Sequence, residues 1–211
     1  MLIQEVLHFF GRAICHQLEE RSLHASGETL SVCARDTGIY IGIFSTLAYL
    51  HLFKRKKKIT IPSIKMSFFL LLFMVPMAVD GLGSYAHLFE STNLRRLVSG
   101  TSFGFVLPYF LYPLLSAKAL ENESEPVIGD LKDFFVPVVL CYGLGGLVYW
   151  GKISYFVLDG LIILTVIVWF SMCWSFLFSR IQDIRFKSAL SAFCGIAFLS
   201  VLSLLHSLII P

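Results

Sequence analysis

The segment Ser154–Phe178, SYFVLDGLIILTVIVWFSMCWSFLF, carries a single charged residue, Asp159, in 25 positions. A helix of that length rises about 37 Å, enough to cross the roughly 30 Å hydrocarbon core of a bilayer. The composition of the rest of the chain agrees. Of 211 residues, 56% are apolar and 15% charged, against about 25% charged in an ordinary soluble domain. Mean hydropathy is +0.77. A water-soluble enzyme cannot hide so much apolar surface, and disorder needs the opposite composition. The expectation is a single all-α membrane domain over residues 1–211.

Five further stretches approach spanning length: 37–53, 64–79, 97–117, 134–150 and 188–210. With 154–178 they predict six transmembrane helices. Lys and Arg favour the cytoplasmic side of short loops. If the pentad Lys54-Arg55-Lys56-Lys57-Lys58 lies inside, Lys65, Lys118, Lys132, Arg180, Arg185 and Lys187 join it. Arg12, Arg21, Arg35, Arg95, Arg96 and Lys152 then lie outside. That bias puts both termini outside. Residues 1–36 lack the features of a cleaved secretory signal. Within them, 2–18 have an amphipathic pattern, Gln4, His8, Arg12 and His16 on one face, suited to the membrane interface. Residues 118–133, with Glu121, Glu123, Glu125, Asp130 and Asp133, are expected to be a solvated inner loop.

On this topology the unusual polar residues gather at the outer pole. Cys15, His16, Cys33 and Asp36 precede the first span. Asp80, Glu90, Asn93, Arg95 and Arg96 lie around the loop between spans two and three, and Asp159 lies just inside span five. Ionisable groups at membrane depth usually pair, face a cavity or do chemistry. Thiolate, imidazole and carboxylate all bind zinc, so Cys15, His16, Cys33 and Asp36 form one possible four-ligand set, with His24 or Glu90 in place of His16 as another. A Cys15–Cys33 disulfide on an oxidising face is an alternative. The run Glu90-Ser91-Thr92-Asn93-Leu94-Arg95-Arg96 opens span three. Its arginines fit phosphate or carboxylate, helped by a helix N-terminus; N-capping and snorkelling are the other readings. Gly38/Gly42 and Gly100/Gly104 are spaced for close helix approach, which would draw Asp36 toward Arg95 and Arg96.

Two patterns extend this reading. They are Cys15-His16-Gln17 with Arg21-Ser22, and Cys33-Ala34-Arg35-Asp36-Thr37-Gly38-Ile39-Tyr40-x-Gly42. With Asp80-Gly81, Ser91-Thr92-Asn93, Arg95-Arg96 and Gly100 to Gly104, the first 110 or so residues resemble a prokaryotic family of small membrane proteins catalogued as a domain of unknown function. The resemblance implies a prokaryotic cell membrane and no activity. The family typically has cysteine where this chain has Asp36, a change that zinc accepts better than a Cys-x-x-Cys redox pair does.

The functional expectation is a metal-dependent membrane enzyme acting at the outer leaflet on a lipid-linked or phosphorylated substrate, by hydrolysis or group transfer. Zinc would sit on Cys15, His16, Cys33 and Asp36. Arg95 and Arg96 would stabilise anionic charge, Glu90 or Asp80 would move the proton, and Asn93 and Asp159 would help bind substrate. Two other readings are a carrier for a lipid phosphate or metal ion, and a thiol–disulfide protein using Cys15 and Cys33. Expected partners are membrane lipids, with anionic headgroups at Lys54–Lys58, and a second copy of the chain. Nucleic acid is not expected, because the basic run lacks interleaved aromatics. Walker, dinucleotide and His-Glu-x-x-His motifs are absent.

Overall fold

The computed structural model describes residues 2–115, 124–151 and 153–209. Lys118, Glu121, Glu123 and Lys152, and the expected span ends at 117 and 210, lie outside these described residues.

The chain opens with a helix, α1 (Leu2–Arg12). A single 3-10 turn (Glu19–Arg21) leads to the antiparallel hairpin of β1 (Ser22–Ala25) and β2 (Glu28–Cys33). Then come α2 (Ala34–Phe53), β3 (Ile59–Thr60), α3 (Ile64–Leu72), α4 (Val75–Tyr85) and α5 (Asn93–Leu114). The chain continues through β4 (Glu125–Pro126), α6 (Leu131–Tyr149), α7 (Tyr155–Leu177) and α8 (Ile184–Ile209). The expected helix over 2–18 is therefore shorter. Near its end Gly11 lies against the backbone of β2, where a Cβ would collide with the Ser31 carbonyl. Leu2, Ile3 and Val6 point outward while Leu7 is buried, the two-faced pattern of a helix lying on a membrane. The hairpin turns on Ser26 and Gly27, both at positive φ.

By length and apolarity, five helical segments can cross a membrane: Ile64–Tyr85, Asn93–Leu114, Leu131–Tyr149, Tyr155–Leu177 and Ile184–Ile209. The first is α3 and α4 in series, interrupted at Phe73–Met74 just before Pro76, a usual cause of a break. It runs past the expected 79, so Asp80 lies in the helix rather than the loop. The expected six thus becomes five by this measure. Helix α2 falls short because Asp36, Thr37, Ser45, Thr46 and His51 dilute its apolar residues. It is the most enclosed helix, packed against α5, α6 and α7, and a helix screened by its neighbours need not be apolar all round.

Glycine makes the α2–α5 contact possible. A Cβ at Gly100 would overlap the Arg35 carbonyl, one at Gly104 the Ile39 carbonyl, and one at Gly38 the Leu97 carbonyl. The two backbones touch as the Gly-x-x-x-Gly spacings predict. That contact brings the start of α2, with Cys33, Arg35 and Asp36, beside the start of α5, with Arg95 and Arg96. Below it, Tyr49, Leu50, Leu70, Phe105, Tyr109 and Phe134 form the inner core.

The opposite pole, where α2 ends and α6 begins, holds an unexpected ion pair. Lys54 is only 6% exposed, and its Nζ lies 2.6 Å from Asp133 Oδ2. Asp133 also accepts from Tyr49 Oη at 2.8 Å and from the Gly129 and Asp130 amides at 2.9 and 3.0 Å. Lys54 is therefore not part of a free basic face, and Asp133 is not a solvated loop residue; it sits in the first turn of α6. Glu125 belongs to a short parallel bridge, its amide donating to the Lys58 carbonyl at 3.0 Å.

Candidate metal and anion sites

Three of the four expected ligands meet. Cys15 lies in the loop after α1, Cys33 ends β2 as the residue before α2, and Asp36 sits in the first turn of α2. Their ligand atoms all lie within 4.8 Å of one another. Cys33 Sγ donates to Asp36 Oδ2 at 3.2 Å, and the Cys33 amide donates to Cys15 Sγ at 3.1 Å. Neither cysteine is in a disulfide. The hydrogen bond from Cys33 lowers the Cys15 thiol below its ordinary range, with the Gln17 and Cys33 amides acting in the same direction. The same thiol contact, together with burial, pushes Cys33 well above it.

This set fits a thiophilic metal. Bond lengths of about 2.3 Å to sulfur and about 2.1 Å to oxygen imply ligand separations of about 3.5–3.8 Å in a tetrahedral site. Only small side-chain adjustments separate the observed cluster from that spacing. Gln17, at φ 55°, fixes the loop: its Nε2 donates to the His8 carbonyl at 2.8 Å and to the Ser31 carbonyl at 2.9 Å.

His16 does not join the cluster. It points outward and meets His206 edge-to-face, with ring centroids 5.2 Å apart. The four-residue repeat that grouped it with His8 and Arg12 does not hold, because α1 has already ended. Among the described residues, neither His24 nor Glu90 is in the cluster either.

Asp80 is 3% exposed, and both its oxygens are engaged. Oδ2 binds Arg35 Nη2 at 2.5 Å, and Oδ1 accepts from Ser91 Oγ at 2.5 Å. Its link to Arg95, 3.9 Å from Nε, is longer. Asp80 is therefore a structural partner of Arg35 rather than a carboxylate open to substrate. Arg95 stacks on the Phe89 ring at 4.3 Å, within the range of a cation–π contact. Thr92 caps α5, its Oγ1 accepting from the Arg95 amide at 3.3 Å.

Arg96 lines a cavity of about 570 Å³ with Arg21, Glu20, His87, Glu90 and Ser91. Arg96 Nη1 donates to Asn93 Oδ1 at 3.1 Å, and Asn93 Nδ2 reaches the Glu20 and Ser22 carbonyls at 3.3 and 3.2 Å. Asn93 thus fastens the start of α5 to the hairpin. Arg35 joins the two sites: it lies between Cys33 and Asp36 in sequence, binds Asp80, and through Ser91 reaches the cavity wall. Arg21 and Arg35 are not among the site residues expected from the sequence, and Ser91 is expected there only as part of the anion-binding run at the start of α5. The Cys-x-Arg spacing was the available signal for Arg35.

Asp159 lies elsewhere. It is wholly buried, accepting from the Ser31 amide at 3.1 Å and Ser31 Oγ at 2.8 Å. It holds β2 against α7 and does not line the arginine cavity.

The fold and site together define a helical membrane protein that gathers a Cys-Cys-Asp cluster and an arginine-lined cavity at one pole. Residues 15–110 match the family described as a predicted membrane protein (DUF2085). An uncharacterized protein of Methanothermobacter thermautotrophicus is 33% identical over 96 residues, 46% of this chain and 82% of the relative. An uncharacterized protein of Methanocaldococcus jannaschii is 34% identical over 101 residues, 48% of this chain and 63% of the relative. The chain thus spans a little under two thirds of that second relative's length. It belongs to the DUF2085 family. No solved structure matches it.

Proposed function

We propose that the protein is a zinc-dependent enzyme of the outer membrane leaflet that acts on a lipid-linked or phosphorylated substrate. The observation that carries this reading is the convergence of Cys15, Cys33 and Asp36, from two separate segments, to within 4.8 Å. Three protein ligands with a fourth position open is the pattern of catalytic rather than structural zinc. When bound, zinc supplies a Lewis acid and lowers the pKa of water. Arg96 and Arg21 hold the anionic group. With Asp80 committed to Arg35 and Glu20 paired with Arg21 at 3.3 Å, Glu90 is the remaining carboxylate on the cavity wall that can move a proton. In this reading α2 is a sixth crossing, both termini lie outside, and the basic run at Arg55–Lys58 faces anionic lipids inside.

A carrier would need a comparable site at the inner pole. The polar cluster there, Lys54 with Asp133, is buried and internally satisfied, which favours the enzyme. The thiol–disulfide reading has one observation of its own, the lowered Cys15 thiol beside a second free cysteine.

The enzyme reading is tested by binding and turnover of zinc-loaded protein with phosphate monoester lipids. Arg96→Ala should lose both while keeping its zinc. Undiminished binding and turnover in that variant would remove the cavity from the mechanism.

A further inference from the structure

Both thiols of the Cys-Cys-Asp cluster trace back to one residue, Ser31. It is wholly buried and lies two residues, about 7 Å of extended chain, before Cys33 on β2. Three other segments meet it. From α7, Asp159 Oδ1 accepts from the Ser31 amide at 3.1 Å and from its Oγ at 2.8 Å. From the Cys15 loop, Gln17 Nε2 donates to the Ser31 carbonyl at 2.9 Å. From α1, Gly11 lies so close that a Cβ there would sit 2.9 Å from the Ser31 Cβ. The amide, hydroxyl and carbonyl of Ser31 are thus all held by residues outside the hairpin.

Two routes lead from Ser31 to the thiols. Along β2, its fixed position carries directly to Cys33. Through Gln17 it carries to Cys15, because the Gln17 amide acts on the Cys15 thiol while its side chain holds the Ser31 carbonyl. Gln17 sits in left-handed backbone, φ 55°, which a residue other than glycine keeps only where its surroundings hold it. The Ser31 and His8 carbonyls, at 2.9 and 2.8 Å, are what its side chain is held by.

A carboxylate is a costly residue for packing alone at the other end of this chain of contacts. Asp159 lies four residues, about 6 Å, into α7. It has no exposed surface, and its Oδ2 is buried with no well-formed hydrogen bond, only the Tyr155 hydroxyl being near. Buried polar atoms left in that state lower stability, and ionisable groups at membrane depth are usually functional.

We propose that Asp159 is a positioning residue for the metal cluster: by fixing Ser31 it sets where Cys33 and, by way of Gln17, Cys15 are held. This rests on the metal-binding reading of that cluster and adds the residue that pre-arranges its two thiols.

The test measures zinc affinity and, on metal-free protein, the rate of Cys15 alkylation read by peptide mass, using the full chain in one detergent. Asp159→Ala should weaken zinc binding by about tenfold, the lower end of the range for residues that hold ligands in place. It should also speed Cys15 alkylation by about tenfold, as the loss of a buried hydrogen bond to a charged group allows. Asp159→Asn keeps an acceptor for both Ser31 donors and should recover most of both. Ser31→Ala removes the hydroxyl bond alone and should give a smaller loss of the same kind. Lys54→Met, which lowers stability at the opposite pole without touching Ser31, should leave both readings at wild type. Gln17→Ala combined with Asp159→Ala should lose less zinc affinity than the product of the single losses, because both work through Ser31. Wild-type readings in folded Asp159→Ala, or in Ser31→Ala where Asp159→Ala does not fold, overturn the proposal. So do equal losses in Lys54→Met, or a double variant that loses the full product. If wild type binds no zinc, the metal reading fails instead, and the alkylation rates still decide whether Asp159 positions Cys15.

Discussion

Replacing Asp80 by Asn tests how the outer pole is held together. At 2.5 Å from Arg35, the ionic attraction is about 7 kcal/mol at an effective dielectric constant of about 20. The Arg95 contact adds little, because that side chain is half exposed and exposed pairs contribute about 0–1 kcal/mol. Desolvation of both groups offsets much of the Arg35 attraction, so the net worth of the pair is modest. Removing one partner nevertheless leaves the other charge unpaired, at a cost of about 3–5 kcal/mol. Asn keeps an acceptor for Ser91, which places Asp80→Asn near the lower end. At about 2–4 °C per kcal/mol for a chain of this size, the melting temperature should fall by about 6–12 °C. Tryptophan fluorescence in one detergent reads this out. Adding Arg35→Met should restore part of the loss, since residues in direct contact couple by about 0.5–3 kcal/mol. A single variant that melts with wild type, or a double variant no better than the sum of the singles, would refute the pairing.

Other expectations follow from the same contacts. Lys54→Met should destabilise by about 3–5 kcal/mol, and Lys54→Met with Asp133→Asn should recover much of that; chemical denaturation measures both, and additive losses would contradict the pair. Gly104→Ala puts a Cβ on the Ile39 carbonyl and should cost at least about 1–3 kcal/mol as overpacking. Its control, Gly81→Ala, meets open space and should be neutral or stabilising by up to about 1 kcal/mol; a thermal shift assay separates them. Because Cys33 holds its proton to well above the ordinary thiol range while Cys15 is lowered, zinc must displace the Cys33 proton near neutral pH. Affinity should then rise with pH across that range, by at least about tenfold per pH unit. A zinc titration in buffers of different pH that shows no such dependence would argue against Cys33 as a ligand.

The α2–α5 contact was readable because glycine spacing is local and its consequence geometric: Gly100 and Gly104 can only matter if another backbone arrives. The Cys15, Cys33 and Asp36 cluster was readable from residue chemistry, since few other roles bring two thiols and a carboxylate together before a span. His16 was misplaced because the periodic pattern runs on past Arg12, where α1 ends. The Ser26-Gly27 turn that makes the hairpin was a usable signal that the amphipathic pattern overshadowed. Lys54 and Asp133 are 79 residues apart, and each sat in a charge-rich segment that reads as solvated until the fold joins them. Asp80 was correctly singled out as unusual, but its partner Arg35 is set by helix packing that no sequence spacing encodes.

The most direct test of the account is metal content by mass spectrometry on detergent-purified protein, wild type beside Cys33→Ser and His16→Ala, each shown to be folded. The account predicts about one zinc per chain in wild type and in His16→Ala, and its loss in Cys33→Ser. Folded wild type without metal after incubation with zinc, or a Cys15–Cys33 disulfide seen as a mass change on reduction, would contradict it.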